Sequence, residues 1–90
     1  MQIEVDGERY ELNWKEVAVL LTLYWVRFKA LPIYKLRDIE EDIDAAILEL
    51  EKKGLVESLR LARTTVVFLT ERGERVAKVL EEKVKERGIT

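Results

Sequence analysis

Apolar and polar residues alternate from Met1 to Leu12 around the pair Asp6-Gly7. Asp-Gly is a strong signal for a two-residue hairpin turn. Pairing about that turn sets Val5 opposite Glu8, Glu4 opposite Arg9, Ile3 opposite Tyr10 and Met1 opposite Leu12. One face is then mostly apolar. The other carries Gln2, Glu4, Arg9 and Glu11, with a Glu4–Arg9 ion pair available across the strands. The period changes at Asn13. With Glu16 three residues later, Asn13 forms a capping-box pattern, and a helix is expected from Trp14 to about Lys29. One stripe of this helix is Val17, Leu20, Leu21, Tyr24 and Phe28. A second is Trp14, Ala18, Thr22 and Trp25, with Val19, Leu23 and Val26 between them. A helix apolar nearly all round is buried on all sides. One side can face the core of so small a chain. The other needs cover, either the N-terminal hairpin or a second subunit.

Ala30-Leu31-Pro32 breaks this helix, and Pro32 suits the first turn of the next. The stretch "IYKLRDIE" reads as a short helix with Ile33, Leu36 and Ile39 inward. A third helix is expected from about Asp42 to Lys53. Its buried stripe is Ile43, Ala46, Ile47 and Leu50, Asp42 is a candidate N-cap, and Gly54 is the C-cap glycine. "LVESLRL" and "TTVVFL" read as two strands joined near Ala62 to Thr64. Thr70 then caps a last helix in which Val76, Val79, Leu80 and Val84 face inward beside Ala77. Gly73 in its first turn is mildly unfavourable, and Gly88 ends it. There is no internal repeat, low-complexity segment or linker, so residues 1–90 read as one domain: a hairpin over 1–12 and a core over 14–88.

Composition narrows the chemistry. The chain is 48% hydrophobic and 38% charged, a globular balance rather than a disordered one. In 90 residues the core is thin, so dimerisation is an expected source of further burial. With no Cys and no His, disulfides, thiol nucleophiles, the common zinc sites and the commonest general acid/base are excluded. One Gln, one Asn and one Met stand among many Glu, Lys and Arg, a bias like that of proteins from hot environments; sampling in a short chain is the plain alternative. The most apolar run, Val17 to Val26, is too short to span a membrane and carries Thr22. The acidic, polar start shows no signal-peptide pattern, and a cytoplasmic location is expected.

The order hairpin, helix, helix, helix, strand, strand, helix describes a mostly helical α+β domain. Two short helices joined by a tight turn and followed by a two-stranded hairpin resemble a winged helix-turn-helix. The stretch "ILELEKKGLVES…TTVVFLTERGERVAKVLEE" is similar to the MarR and PadR families of transcriptional regulators. There a recognition helix ends in Leu-Glu-x-x-Gly-Leu-Val, and a wing strand ends in Leu-Thr-x-x-Gly. The matching residues here are Leu50, Glu51, Gly54, Leu55, Val56, Leu69, Thr70 and Gly73. The resemblance covers about residues 14 to 88. It implies an N-terminal β-hairpin, three helices, a two-stranded wing and a C-terminal helix, and a DNA-binding regulator acting as a small homodimer. Winged helices are reused widely, so fold is implied more strongly than function. The matched residues also have local structural roles. Leu50 and Leu55 can bracket the C-cap, Gly54 can turn left-handed, and Thr70 can satisfy free amides.

On that resemblance the third helix presents Glu41, Asp44, Ala45, Leu48, Glu49 and Lys52 outward, toward a major groove. Its first two turns offer no Arg, Asn, Gln or Lys, the side chains that read purines in paired hydrogen bonds. Net charge is −2, whereas a nucleic-acid module is usually basic. Carboxylates at a helix start complement its dipole, each by about 0.3–1 kcal/mol, which accounts for Glu41 and Asp42 without a DNA role. Cations lie elsewhere: Lys35 and Arg37 on the second helix, Arg60 and Arg63 on the wing, Arg27 and Lys29 at the end of the first helix, Arg72 and Arg75 at the start of the last. Arg60 and Arg63 are the foremost candidates for phosphate contacts, because a short wing exposes its tip. The DNA-facing set is then Lys35, Arg37, Asp44, Ala45, Lys52, Arg60 and Arg63. The plain alternative is a solvated surface that balances many glutamates.

Trp14, Ala18, Thr22 and Trp25 share one helical face. They could pack under the hairpin, line a ligand pocket, or form a homodimer seam with Val76, Leu80 and Val84 of the last helix. Two classes of function stand side by side. One is a homodimeric regulator that binds double-stranded DNA. The other is an interaction module whose acidic third helix docks a basic protein partner. No nucleophile–base pair, phosphate loop or calcium-loop spacing is legible, so neither an enzyme nor a cofactor is expected.

Overall fold

The computed structural model describes residues 1–86. Asp6 and Gly7 both take positive φ, 53° and 80°, and fold strand β1 (Gln2–Val5) back on β2 (Glu8–Glu11). The register is the expected one, with Ile3 opposite Tyr10 and Val5 opposite Glu8. Two backbone bonds of 2.8 Å between Met1 and Leu12 extend it. Ile3, Val5, Tyr10 and Leu12 are buried. Glu4 and Arg9 stand opposite each other without closing the ion pair, and Glu11 instead lies 3.8 Å from the N-terminal ammonium.

Helix α1 (Trp14–Trp25) opens on a complete capping box: Asn13 Oδ1 accepts from the Glu16 amide, and Glu16 Oε1 accepts from the Asn13 amide, both at 2.9 Å. It ends four residues earlier than expected. Val26 is extended, and Lys29 takes a left-handed φ of 54°. Residues 30–32 then form a third strand, β3 (Ala30–Pro32), where a helix break alone was expected. Pro32 forbids helix there, and it closes a strand at a sheet edge, where its missing amide costs nothing. Phe28, assigned to the buried stripe, is 81% exposed as a result.

Helix α2 (Ile33–Ile39) has Pro32 as its N-cap and only Leu36 fully buried. Ile39 is 51% exposed rather than inward. Spacings of three advance about 300° around a helix, so Ile39 has rotated well away from Ile33. Helix α3 (Ile43–Lys52) buries Ile43, Ala46, Ile47 and Leu50 as its pattern requires. Asp42 does not cap it. Its φ of 61° is left-handed, and its side chain accepts no cap bond. The turn out of α2 uses that conformation, and the carboxylate cannot reach the first amides from it. At the other end Leu55 N–H bonds to the Leu50 carbonyl and Gly54 N–H to that of Glu51, each at 3.0 Å. With Gly54 at φ 76°, this is a Schellman motif, and Leu50 and Leu55 are both fully buried beside it.

Strands β4 (Val56–Leu61) and β5 (Thr64–Leu69) pair antiparallel about Ala62-Arg63, and β3 joins the other edge of β5 to give the order β3-β5-β4. Helix α4 (Glu71–Glu86) is N-capped by Thr70, whose Oγ1 accepts from the Gly73 amide at 3.0 Å. The expected end at Gly88 lies outside the described residues. The core is built on α1: Val19, Leu20 and Leu23 pack against α3 and α4, with Val67 and Leu69 of β5 closing it. Four helices and two small antiparallel sheets among the described residues make this an α+β fold. Among the described residues no helix is long and apolar enough to cross a membrane.

Candidate functional site

Strand β3 determines what α2 faces. It pairs with β5 at Pro32–Val66 and runs directly into α2, so the first turn of α2 is fixed beside the β4–β5 hairpin. Tyr34 and Arg37 of α2 and Arg60, Arg63, Thr64 and Thr65 of the hairpin consequently line one open groove of about 620 Å³. Three candidate residues, Arg37, Arg60 and Arg63, are brought together here. Lys35 is exposed on α2 but does not line the groove. Tyr34, 55% exposed at the groove wall, carries no sequence signal of its own. Its place follows from β3, a strand of three residues.

Arg60 and Arg63 form no ion pair among the described residues. Arg37 does: its Nη2 lies 3.2 Å from both carboxylate oxygens of Asp44, in the first turn of α3. Asp44 therefore leans onto α2 rather than standing free on the outer face of α3. Glu40 is engaged by Lys15 at 3.8 Å, and Lys52 by Glu49 at 3.5 Å. The carboxylates at the start of α3 are thus partly neutralised from within the fold. The remaining cations are dispersed. Arg75 is held by Asp6 at 2.6 Å, and Lys29 lies 4.0 Å from Glu74.

Ala45 belongs to a different depression of about 400 Å³, between the start of α1 and α3. Trp14, Ala45 and Ala46 supply its apolar walls, and Asp42 and Glu49 stand at its rim. Trp14 is 66% exposed, so it does not pack under the hairpin. Trp25, 61% exposed, also stands clear of the hairpin, and its indole N–H donates to Glu81 of α4. That bond is the main reason the Glu81 carboxyl is held below the ordinary glutamate range, with Lys85 adding to it. Ala18 and Thr22 lie half-buried between the two indoles.

The seam expected from α4 is corrected. Val76 and Leu80 are completely buried against the core of their own chain and are not available to a second one. The helix's strong amphipathicity is spent on α1. Val84 remains half-buried at the edge.

One contact had no sequence signal. The Glu16 side chain is buried, and its Oε2 lies 2.6 Å from Lys53 Nζ, which also donates to the Glu11 carbonyl at 2.9 Å. This ties the start of α1 to the end of α3. Among the described residues no group of three or more His, Cys, Asp or Glu side chains is placed to hold a metal ion.

No family model matches the chain, and no curated protein matches it. The crystal structure of AF1382 from Archaeoglobus fulgidus is similar, with a TM-score of 0.74 and 18% sequence identity over 84% of this chain and 90% of that one. At that identity the likeness is one of fold.

Proposed function

We propose that this chain is a winged helix-turn-helix regulator that binds double-stranded DNA in the cytoplasm as a small homodimer. On this reading α2 and α3 are the helix-turn-helix, β4 and β5 the wing, and β3 the third strand of the wing sheet. The observation that carries it is the convergence of Arg37, Arg60 and Arg63 on one open groove between α2 and the hairpin tip. Guanidinium groups in such a groove suit phosphate oxygens, which fix position rather than sequence. Affinity is then mainly phosphate-directed. The outward face of α3, with Ala45, Leu48 and Glu49, offers little to a base edge, and Asp44 beside it is engaged by Arg37. The homodimer would use the α1 face of Trp14, Ala18, Thr22 and Trp25, with Val84 at its margin. The test is duplex-DNA binding by the wild type beside Arg60→Ala/Arg63→Ala, which lowers affinity if the groove is the contact.

A second reading has an observation of its own. The apolar depression at Trp14, rimmed by Asp42 and Glu49, suits a basic protein segment that brings an apolar or cationic side chain onto the indole. Failure of the wild type to bind duplex DNA at low salt leaves this reading standing alone.

A further inference from the structure

We propose that Asp44 is a built-in competitor for the phosphate site at Arg37. The inference rests on the DNA-binding reading and adds a control on the strength of that same site. Both carboxylate oxygens of Asp44 lie 3.2 Å from one nitrogen of Arg37, where oxygens of a phosphate would otherwise sit. The geometry is imposed by the chain. The left-handed residue Asp42 turns α3 back so that its first turn meets the last turn of α2, seven residues after Arg37. The pair is open to water, with side-chain exposures of 54% for Arg37 and 59% for Asp44. An exposed pair of this kind is weak and can be opened. A polyanion can displace the carboxylate, but it does so against a standing competitor. Arg60 and Arg63 line the same groove with no carboxylate partner among the described residues. Of the three groove arginines, Arg37 is the one held in check. Asp44 thereby trims affinity without removing the site.

The experiment compares the full chain with Asp44→Asn and with Asp38→Asn, binding random duplex DNA across a salt series. Asp38 is an exposed carboxylate on α2 with no ion pair among the described residues, so Asp38→Asn measures the general effect of losing one negative charge. Asp44→Asn should tighten binding about two- to five-fold beyond that control, the scale of a weak exposed pair. In an Arg37→Ala background the advantage of Asp44→Asn over Asp38→Asn should vanish. The proposal is overturned if Asp44→Asn matches Asp38→Asn, or if its advantage survives without Arg37. If Arg60→Ala/Arg63→Ala weakens binding while Asp44→Asn matches the control, the competitor falls and the DNA-binding reading stands. If no duplex is bound by the wild type or by Asp44→Asn, both fall.

Discussion

A methyl group in place of the Gly73 α-hydrogen would lie 1.9 Å from the carbonyl oxygen of Leu55. That oxygen also accepts from the Thr70 amide at 3.1 Å, and Thr70 Oγ1 donates to the Gly54 carbonyl at 2.7 Å. The first turn of α4 therefore lies directly on the chain leaving α3. Gly73 is a close-approach residue, which outweighs its poor helix propensity. Gly73→Ala should cost about 3 kcal/mol or more, because backbone must move. Gly7→Ala meets open space and only a left-handed φ, and should cost about 1–2 kcal/mol. Urea denaturation of both variants gives the comparison. Equal costs would contradict the packing described.

Lys53→Ala leaves one oxygen of the buried Glu16 carboxylate without its partner. A buried charge that loses its counter-ion costs several kcal/mol. Here Asn13 still bonds the other oxygen, and about 2–3 kcal/mol is expected. Replacing both residues, Glu16→Gln with Lys53→Met, should cost less than Lys53→Ala alone. A double variant less stable than Lys53→Ala contradicts this.

The Trp25–Glu81 bond gives a pH signature. Indole N–H donation favours the ionised carboxylate, so the folded pKa of Glu81 lies below the ordinary value. The associated stability is present above the unfolded pKa and is lost as pH falls through the lowered folded one. Carbon-detected titration of the Glu81 carboxyl should give a midpoint below that of an unstructured glutamate. Trp25→Phe should raise the midpoint toward the ordinary value. An unchanged midpoint would show that the indole does not hold the carboxylate.

Exposure separates the residues proposed for the dimer face from core residues on neighbouring helices. Trp14→Ala/Trp25→Ala removes two exposed indoles and should convert a dimer to a monomer in sedimentation equilibrium, with little loss of fold stability. Leu80→Ala, at a completely buried position, should cost about 2–5 kcal/mol of fold stability instead. A wild type that sediments as a monomer at all concentrations removes the homodimer from the proposed function.

What could be read from the sequence was local. The Asp6-Gly7 turn fixed the hairpin register, Asn13 and Glu16 the start of α1, and Gly54 between Leu50 and Leu55 the end of α3. Each is decided within a few residues of chain. What escaped depends on residues far apart. β3 is too short to show a period, and it exists because residues 66–68 offer it an edge. Tyr34 reaches the groove through that strand. Lys53 meets Glu16 across 37 residues. Val76 and Leu80 carry the same apolar pattern whether they face their own core or a partner. Asp44 looked like a free outward carboxylate because the left-handed turn at Asp42 cannot be inferred from an Asp alone.

The proposed DNA contact is tested most directly by the salt dependence of duplex binding. Wild type and Arg60→Ala/Arg63→Ala would be titrated with random-sequence duplex between low and physiological salt. Log affinity of the wild type should fall linearly with log salt, and the double variant should show a slope shallower by about 1.8, two fewer phosphate contacts. Equal slopes for the two proteins, or no binding by the wild type at low salt, would contradict a phosphate site at the hairpin tip.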